Sequence, residues 1–248
     1  MKKLEKLFSF FSLILFLFCW QLIVIIKQYP RFIFPSPKQV LFRFISVIQS
    51  GTLFYHTKIT LEEILFGLLL GFSLAFILGY FLAKSRSGEQ LFSPLIVGFQ
   101  AIPVLALAPL LIIWFGSGIT AKIVVCALTL FFPVLINTIV GFRNVDKELS
   151  QLMHSLKASF LQKLIYLEIP SSLPILFGGL KIGVTLSVIG AVVGEFVGAD
   201  RGLGFLINLA GGLYDTPLRF VAFFSLSLIA LSLYKTIEIL EKKLVKWR

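Results

Sequence analysis

Long, predominantly apolar runs constrain this chain more than any other feature. At a rise of about 1.5 Å per residue, roughly 20 residues of helix cross a hydrocarbon core of about 30 Å. Inside that core no water satisfies backbone polar groups, so a chain that enters it must be helical or close into a barrel. Six runs of suitable length occur, at about 7–26, 60–83, 92–115, 120–141, 174–198 and 217–237. The fifth contains Lys181 near one end, and Arg219 stands at the start of the sixth. Sequence free of charge extends from Gln90 to Ala121, too long for one helix; Gly116 and Gly118 in "WFGSGIT" break it into the third and fourth spans. The run from Leu7 to Ile26 exceeds a signal-peptide core and no small-x-small cleavage site follows, which predicts a retained first span.

Composition agrees. With 58% hydrophobic and only 14% charged residues, the chain falls outside the range of soluble domains and is expected to be an all-α membrane protein. A formal net charge of +11 can signal nucleic-acid binding, but here the basic residues fill the gaps between apolar runs, so topology accounts for them and no nucleic-acid partner is expected. With the N-terminus inside, 15 of the 23 Lys and Arg residues fall on the inner side and 8 on the outer. That asymmetry predicts cytoplasmic termini and a multi-pass protein of a bacterial cytoplasmic membrane. Cys19 and Cys126 both lie within apolar runs and read as packing residues.

No chemistry-bearing motif appears. GxxxxGK[ST], HExxH and GxSxG are absent, and His56 and His154 fall on opposite sides of the membrane under this topology. The sequence therefore predicts no catalytic residue, no metal site and no cofactor held by this chain, and it does not read as an enzyme. If nucleotide energy drives it, another chain must bind the ATP and Mg.

The stretch from Gln151 to Pro174 is the exception to the apolar character. Leu149, Leu152, Met153 and Leu156 follow i, i+3, i+4, i+7 spacing, and a second apolar stripe runs through Phe160, Leu161, Leu164, Ile165 and Leu167. Ser159 with Gln162 reads as a capping box, and Pro170 is expected to end the second helix. Two short amphipathic helices thus meet at Leu156–Lys157–Ala158–Ser159. They fit equally a loop lying on the membrane surface and a knob filling a groove on a soluble partner; spacing alone does not choose.

This segment resembles the coupling signature of the permease subunits of ATP-binding-cassette importers, in the nitrate, sulfonate and taurine branch. The signature is Glu-Ala-Ala, three residues, Gly, nine residues and Ile-x-Leu-Pro; in register, Gln151, Leu152 and Met153 stand at its first three positions, Lys157 at the glycine and Leu167 to Pro170 at its close. "FPSPKQV" at 34–40, "QAIPVLALAPLLIIWFGSG" at 100–118, "FFPVLINTIVGFRNVDKEL" at 131–149 and "SLPILFGGLKIGVTLSVIGAVVGEFVGADRGLGFLI" at 172–207 look like the corresponding segments in the same order.

The resemblance implies a single type I permease-like domain of about six spans, with a cytoplasmic coupling loop at about 143–172 between spans four and five. It implies docking of a separate ATPase on Gln151, Leu152, Met153, Leu156, Lys157, Ala158, Ser159 and Pro170, a second permease copy, and an extracytoplasmic solute-binding protein. The solutes implied are nitrate, sulfonates, taurine or thiamine-precursor pyrimidines, moved by alternating access. Lys157 is the departure: if the bend needs positive φ, glycine takes it freely and lysine is strained by roughly 1–2 kcal/mol.

Other residues admit two readings. Glu195 belongs either to a translocation path or outer gate or to the solvated interface, since a carboxylate at membrane depth is costly. Pro103 and Pro109 are expected to kink span three, with freed carbonyls that can line a path. Gly190 and Gly194 fit helix packing and Gly202 and Gly204 a loop, while Glu62 and Glu63 read as surface partners of Lys58. A self-contained secondary transporter is the rival reading, but it calls for ion-coupling residues deep in the spans, and these are lacking.

Overall fold

The computed structural model describes residues 2–245, the side chains of residues 2–10 and 13 excepted. The inner-side residues Lys2, Lys3, Lys6, Lys246 and Arg248 used in the topology count lie outside the described side chains. Every regular element among the described residues is helical. They are α1 (Lys2–Lys27), α2 (Pro37–Gln49), α3 (Thr52–Lys84), α4 (Arg86–Gln100), α5 (Val104–Phe115), α6 (Ile119–Arg143), α7 (Lys147–Ser155), α8 (Phe160–Lys163), α9 (Ile169–Gly198), α10 (Leu203–Gly212) and α11 (Thr216–Leu244), with a π-helical turn, Leu164–Glu168, joining α8 to α9.

Four helices are long and apolar enough to cross a membrane: α3, α6, the continuous run Phe160–Gly198, and α11. The expected first span falls on α1, whose described apolar stretch is Ile14–Lys27. The expected third span is not one helix. The chain turns by 94° between α4 and α5, because Pro103 has no amide to continue the ladder and disfavours the helical conformation at Ile102. Pro103 becomes the first cap of α5 while Pro109 lies inside it, so the expected kink is a sharp break at the first proline.

Small residues bring the central helices together. Lipid is as apolar as leucine, so burial gives no net drive and close backbone contact must supply the attraction. A methyl carbon on Gly71 of α3 would lie 2.7 Å from the Ala127 carbonyl of α6, and one on Gly190 of α9 would lie 2.8 Å from the Cys126 Cα. Gly67 and Gly79 on α3 and Gly194 on α9 continue the two seams, so α6 is held between α3 and α9. Cys126 is buried there as a free thiol. Trp20 ties α1 to the bundle: it is buried, its indole N–H donates to the Pro35 carbonyl at 3.0 Å, and its ring stacks on Phe220 of α11 at 5.3 Å.

Candidate functional site

At one end of the bundle α7 and α8 project from the spans. Asp146 caps α7 by accepting from the Glu148 and Leu149 amides, and Ser159 and Gln162 form a reciprocal capping box on α8. Between them Lys157 has φ +53°. Its N–H donates to the His154 carbonyl at 2.9 Å and the Ala158 N–H to the Met153 carbonyl at 3.0 Å, the paired bonds of a Schellman turn whose pivot must be left-handed. The bend therefore keeps the backbone that suits glycine while carrying lysine. Gln151, Leu152, Leu156, Lys157 and Ser159 are exposed and Met153 and Ala158 half-buried. With Leu149, Phe160, Leu161 and Ile165, Leu152 and Leu156 make an uncovered apolar surface.

Pro170 stands apart from that surface and does not end the second short helix, correcting the expectation. The π turn over Leu164–Glu168, with the Ile169 amide reaching back to the Leu164 carbonyl, widens the ladder so the helix passes through the proline into α9. The knob is thus continuous with a membrane-crossing helix. Glu168, buried at the turn, accepts from the Tyr80 hydroxyl at 3.2 Å and pairs with Lys84, both on the end of α3. Lys163 approaches it at 3.9 Å. The π turn is therefore tied to α3 as well as to α8 and α9.

At the opposite end, Glu195 is 1% exposed, which excludes its reading as a solvated interface carboxylate. It accepts from the Thr60 hydroxyl at 2.6 Å and from the Gly204 amide. The Leu203 amide donates to Thr60 Oγ1 at 2.8 Å, and the Gly202 amide to His56 Nδ1 at 2.9 Å. Three orphan amides at the start of α10 are thus satisfied by side chains of α3 and α9, and the carboxylate suits the positive end of the helix dipole. Gly202 is at φ +105° and a Cβ there would strike the Glu195 carboxylate, so this turn requires glycine. Glu62 pairs with Lys58 across one helical turn at the surface, as expected. Glu63 does not. It points inward, fully buried, with Lys122 Nζ at 3.6 Å and no hydrogen bond to either oxygen. Lys122, 3% exposed, is consequently a core residue rather than a headgroup anchor.

The break between α4 and α5 leaves Ala101, Ile102 and Pro103 exposed, and α4 buries no side chain. Irregular backbone at membrane depth does not face lipid; it is covered by protein or lines a wet cavity. A cavity of about 270 Å³ opens beside the break, lined by Phe99, Gln100, Thr129, Phe132 and Pro133 among others. Pro109 lies away from it, within α5.

Residues 64–247 match the family described as the inner membrane component of binding-protein-dependent transport systems. This chain belongs to that family. The permease is 49% identical over 236 residues to the riboflavin transport system permease protein RibX of Chloroflexus aurantiacus, covering 95% of this chain and 88% of the relative. It is 37% identical to the formylaminopyrimidine transport permease protein ThiX of Halalkalibacterium halodurans, over 88% of this chain and 86% of that one. Its fold superposes on a chain of the MetNI methionine ABC transporter in an inward-facing conformation with a TM-score of 0.66 at 19% identity, covering 76% of this chain and 94% of that chain. It is an all-helical, multi-pass membrane protein with the fold of an ABC importer permease.

Sequence reasoning missed Glu168, Thr60, His56 and the Glu63–Lys122 pair as partners in the permease. A stripe of polar residues at i, i+4 and i+7, His56, Thr60 and Glu63, on a membrane-entering helix was the available signal. What it lacked was the identity of the facing elements, which lie more than a hundred residues away for the first two.

Proposed function

We propose that this permease subunit forms the membrane channel of an importer in which a separate ATPase docks on the Leu149–Ile165 surface and drives alternating access. The observation that carries this reading is the exposed apolar knob built on a strict Schellman turn and continuous with α9. A loop lying on lipid needs no fixed pivot, whereas a groove-filling knob must present Leu152, Leu156 and Phe160 in one geometry. Lys84 and Glu168 then pass the motion of the knob to α3, and the rigid pair α6–α9 moves as a unit. ATP and Mg belong to the ATPase, so this chain carries no catalysis of its own.

The exposed α4–α5 face supports a second permease copy as its cover, with the cavity beside it facing the shared path. The polar knot around Glu195 supports a gate role at the side that receives solute from a binding protein. The positive-inside asymmetry supports cytoplasmic termini, and a cytoplasmic ATPase docking on α7–α8 is in keeping with that orientation. The solute belongs to the range spanned by the relatives and the branch: a flavin, a pyrimidine, or a small organic anion such as a sulfonate, taurine or nitrate.

Leu156→Asp is the test. Leu156 is 68% exposed, so the charge does not disturb the fold but enters the docking contact. The variant is expected to insert normally and to lose both the co-purifying ATPase and ATP-dependent uptake. Full-rate uptake by a normally inserted variant would sink the docking role, and uptake by this chain alone under an ion gradient would establish the secondary-transporter alternative.

A further inference from the structure

The cavity beside the α4–α5 break has a chemistry that narrows the solute. Its α6 residues, Thr129, Phe132 and Pro133, lie ten to fifteen residues from the inner end of that 25-residue helix, which places them near mid-membrane at about 1.5 Å per residue. The Phe99 ring of α4 and the Phe132 ring of α6 are parallel to within 7°, with centroids 6.3 Å apart. Rings in that relation pack on each other and leave no room for a third between them, so a flat ligand ring would stack on the outward face of the pair. Among the described residues of this chain, no Lys, Arg, Asp or Glu lines the space.

The polar groups that remain are neutral and of both kinds. The Gln100 amide, exposed at the end of α4, supplies donor and acceptor. Pro133 has no N–H, so the carbonyl of Thr129 one turn back loses its helical donor. The Thr129 hydroxyl donates to the Val125 carbonyl at 2.7 Å and keeps its lone pairs. A desolvated sulfonate or nitrate would meet no cation here, and leaving its charge unpaired at membrane depth is costly.

We propose that this cavity is a transit site for an uncharged, planar heteroaromatic ring whose edge carries both hydrogen-bond donors and acceptors, stacked on the outward face of the Phe99–Phe132 pair and held at its edge by Gln100 and the Thr129 carbonyl. The inference rests on the importer reading and selects among the solutes left open there. The cavity admits one ring system, being at the lower limit of ordinary ligand pockets.

The test uses the permease assembled with its ATPase and binding protein in liposomes, with riboflavin and an aminopyrimidine as planar probes and taurine and nitrate as anionic ones. Uptake of a planar probe and of neither anion is expected. Phe132→Ala and Phe99→Ala are each expected to lower that uptake by about ten-fold or more, the loss of one aromatic stacking face. Phe132→Tyr is expected to retain it, and Phe66→Ala, on the exposed face of α3, to behave as the parent. Binding to the permease, followed by quenching of riboflavin fluorescence, separates loss of the stack from loss of fold. Uptake of an anion, of neither planar probe, or undiminished planar uptake by both alanine variants overturns the proposal while ATP hydrolysis by the assembly leaves the importer reading intact. Failure of the ATPase to assemble on the parent would instead overturn that reading.

Discussion

Replacing Lys157 isolates the backbone requirement of the turn between α7 and α8. At φ +53° an L-residue in the left-handed region is strained by about 1–2 kcal/mol. Lys157→Gly removes that strain but adds freedom to competing conformers, which cancels roughly 0.5–1 kcal/mol of it. The net gain is about 0–1.5 kcal/mol, at most roughly tenfold in the population of the formed turn. Lys157→Val moves the other way, because a β-branched residue is a genuine outlier at positive φ. A further cost of about 1–2 kcal/mol corresponds to a factor of 5–30. Lys157→Ala keeps the conformational class of lysine and removes the ammonium. The charge is exposed, so its own contribution is at most about 1 kcal/mol and falls with salt.

Binding of the ATPase to the permease in nanodiscs, measured by titration at two salt concentrations, reads these terms separately. The expected order of affinity is Gly, then Lys close to Ala, then Val, with the Gly-to-Val interval insensitive to salt. A valine variant that binds the ATPase with parental affinity, and drives uptake at the parental rate, would show that docking does not depend on the left-handed turn.

Other perturbations follow from the same geometry. Lys122→Met leaves Glu63 buried without a partner and is expected to destabilise the bundle by about 3–5 kcal/mol, whereas Glu63→Gln with Lys122→Met recovers most of that; detergent thermal unfolding of the two single variants and the double gives the coupling. Glu168→Ala removes the polar tie between the π turn and α3, leaving the Tyr80–Phe160 ring contact between α3 and α8, and, with Lys84 able to reach water, is expected to cost only about 1–2 kcal/mol of stability; the larger effect is ATP hydrolysis no longer matched by uptake, measured as their ratio. Gly71→Leu forces α3 off α6, where a Cβ already meets backbone oxygen at 2.7 Å, and is expected to abolish monodisperse protein on size exclusion. Glu195→Ala leaves the Gly204 amide unpaired and is expected to raise hydrogen exchange over the α9–α10 turn without changing exchange in α7.

Membrane class, helical content and the position of the amphipathic helix pair were legible in the sequence because each depends on local physics. Desolvated backbone must form helix, so apolar length alone marks α3, α6, α9 and α11; Ser159 and Gln162 are three residues apart and cap each other wherever they occur. Lys157 was legible as a question, whether the bend needs positive φ, and the backbone answers it. The extent of the broken third span was not legible. A proline within an apolar run is compatible with a gentle kink, a right-angle break or a nearly straight helix, and what packs around it decides among them. Pro170 makes the same point: the rule that proline stops a helix fails there because one π turn relocates the missing hydrogen bond.

The sequence by itself determined that this chain is an assembly of apolar helices interrupted by one amphipathic segment, since length, hydropathy and spacing act within a turn or two. Only the tertiary structure decided that Glu63 turns inward to Lys122 while its neighbour Glu62 faces out, that Glu195 holds the start of α10, and that Phe99 lies parallel to Phe132. Those pairings join residues on different helices, and at membrane depth a polar or aromatic side chain takes its meaning from whichever group shields it from lipid.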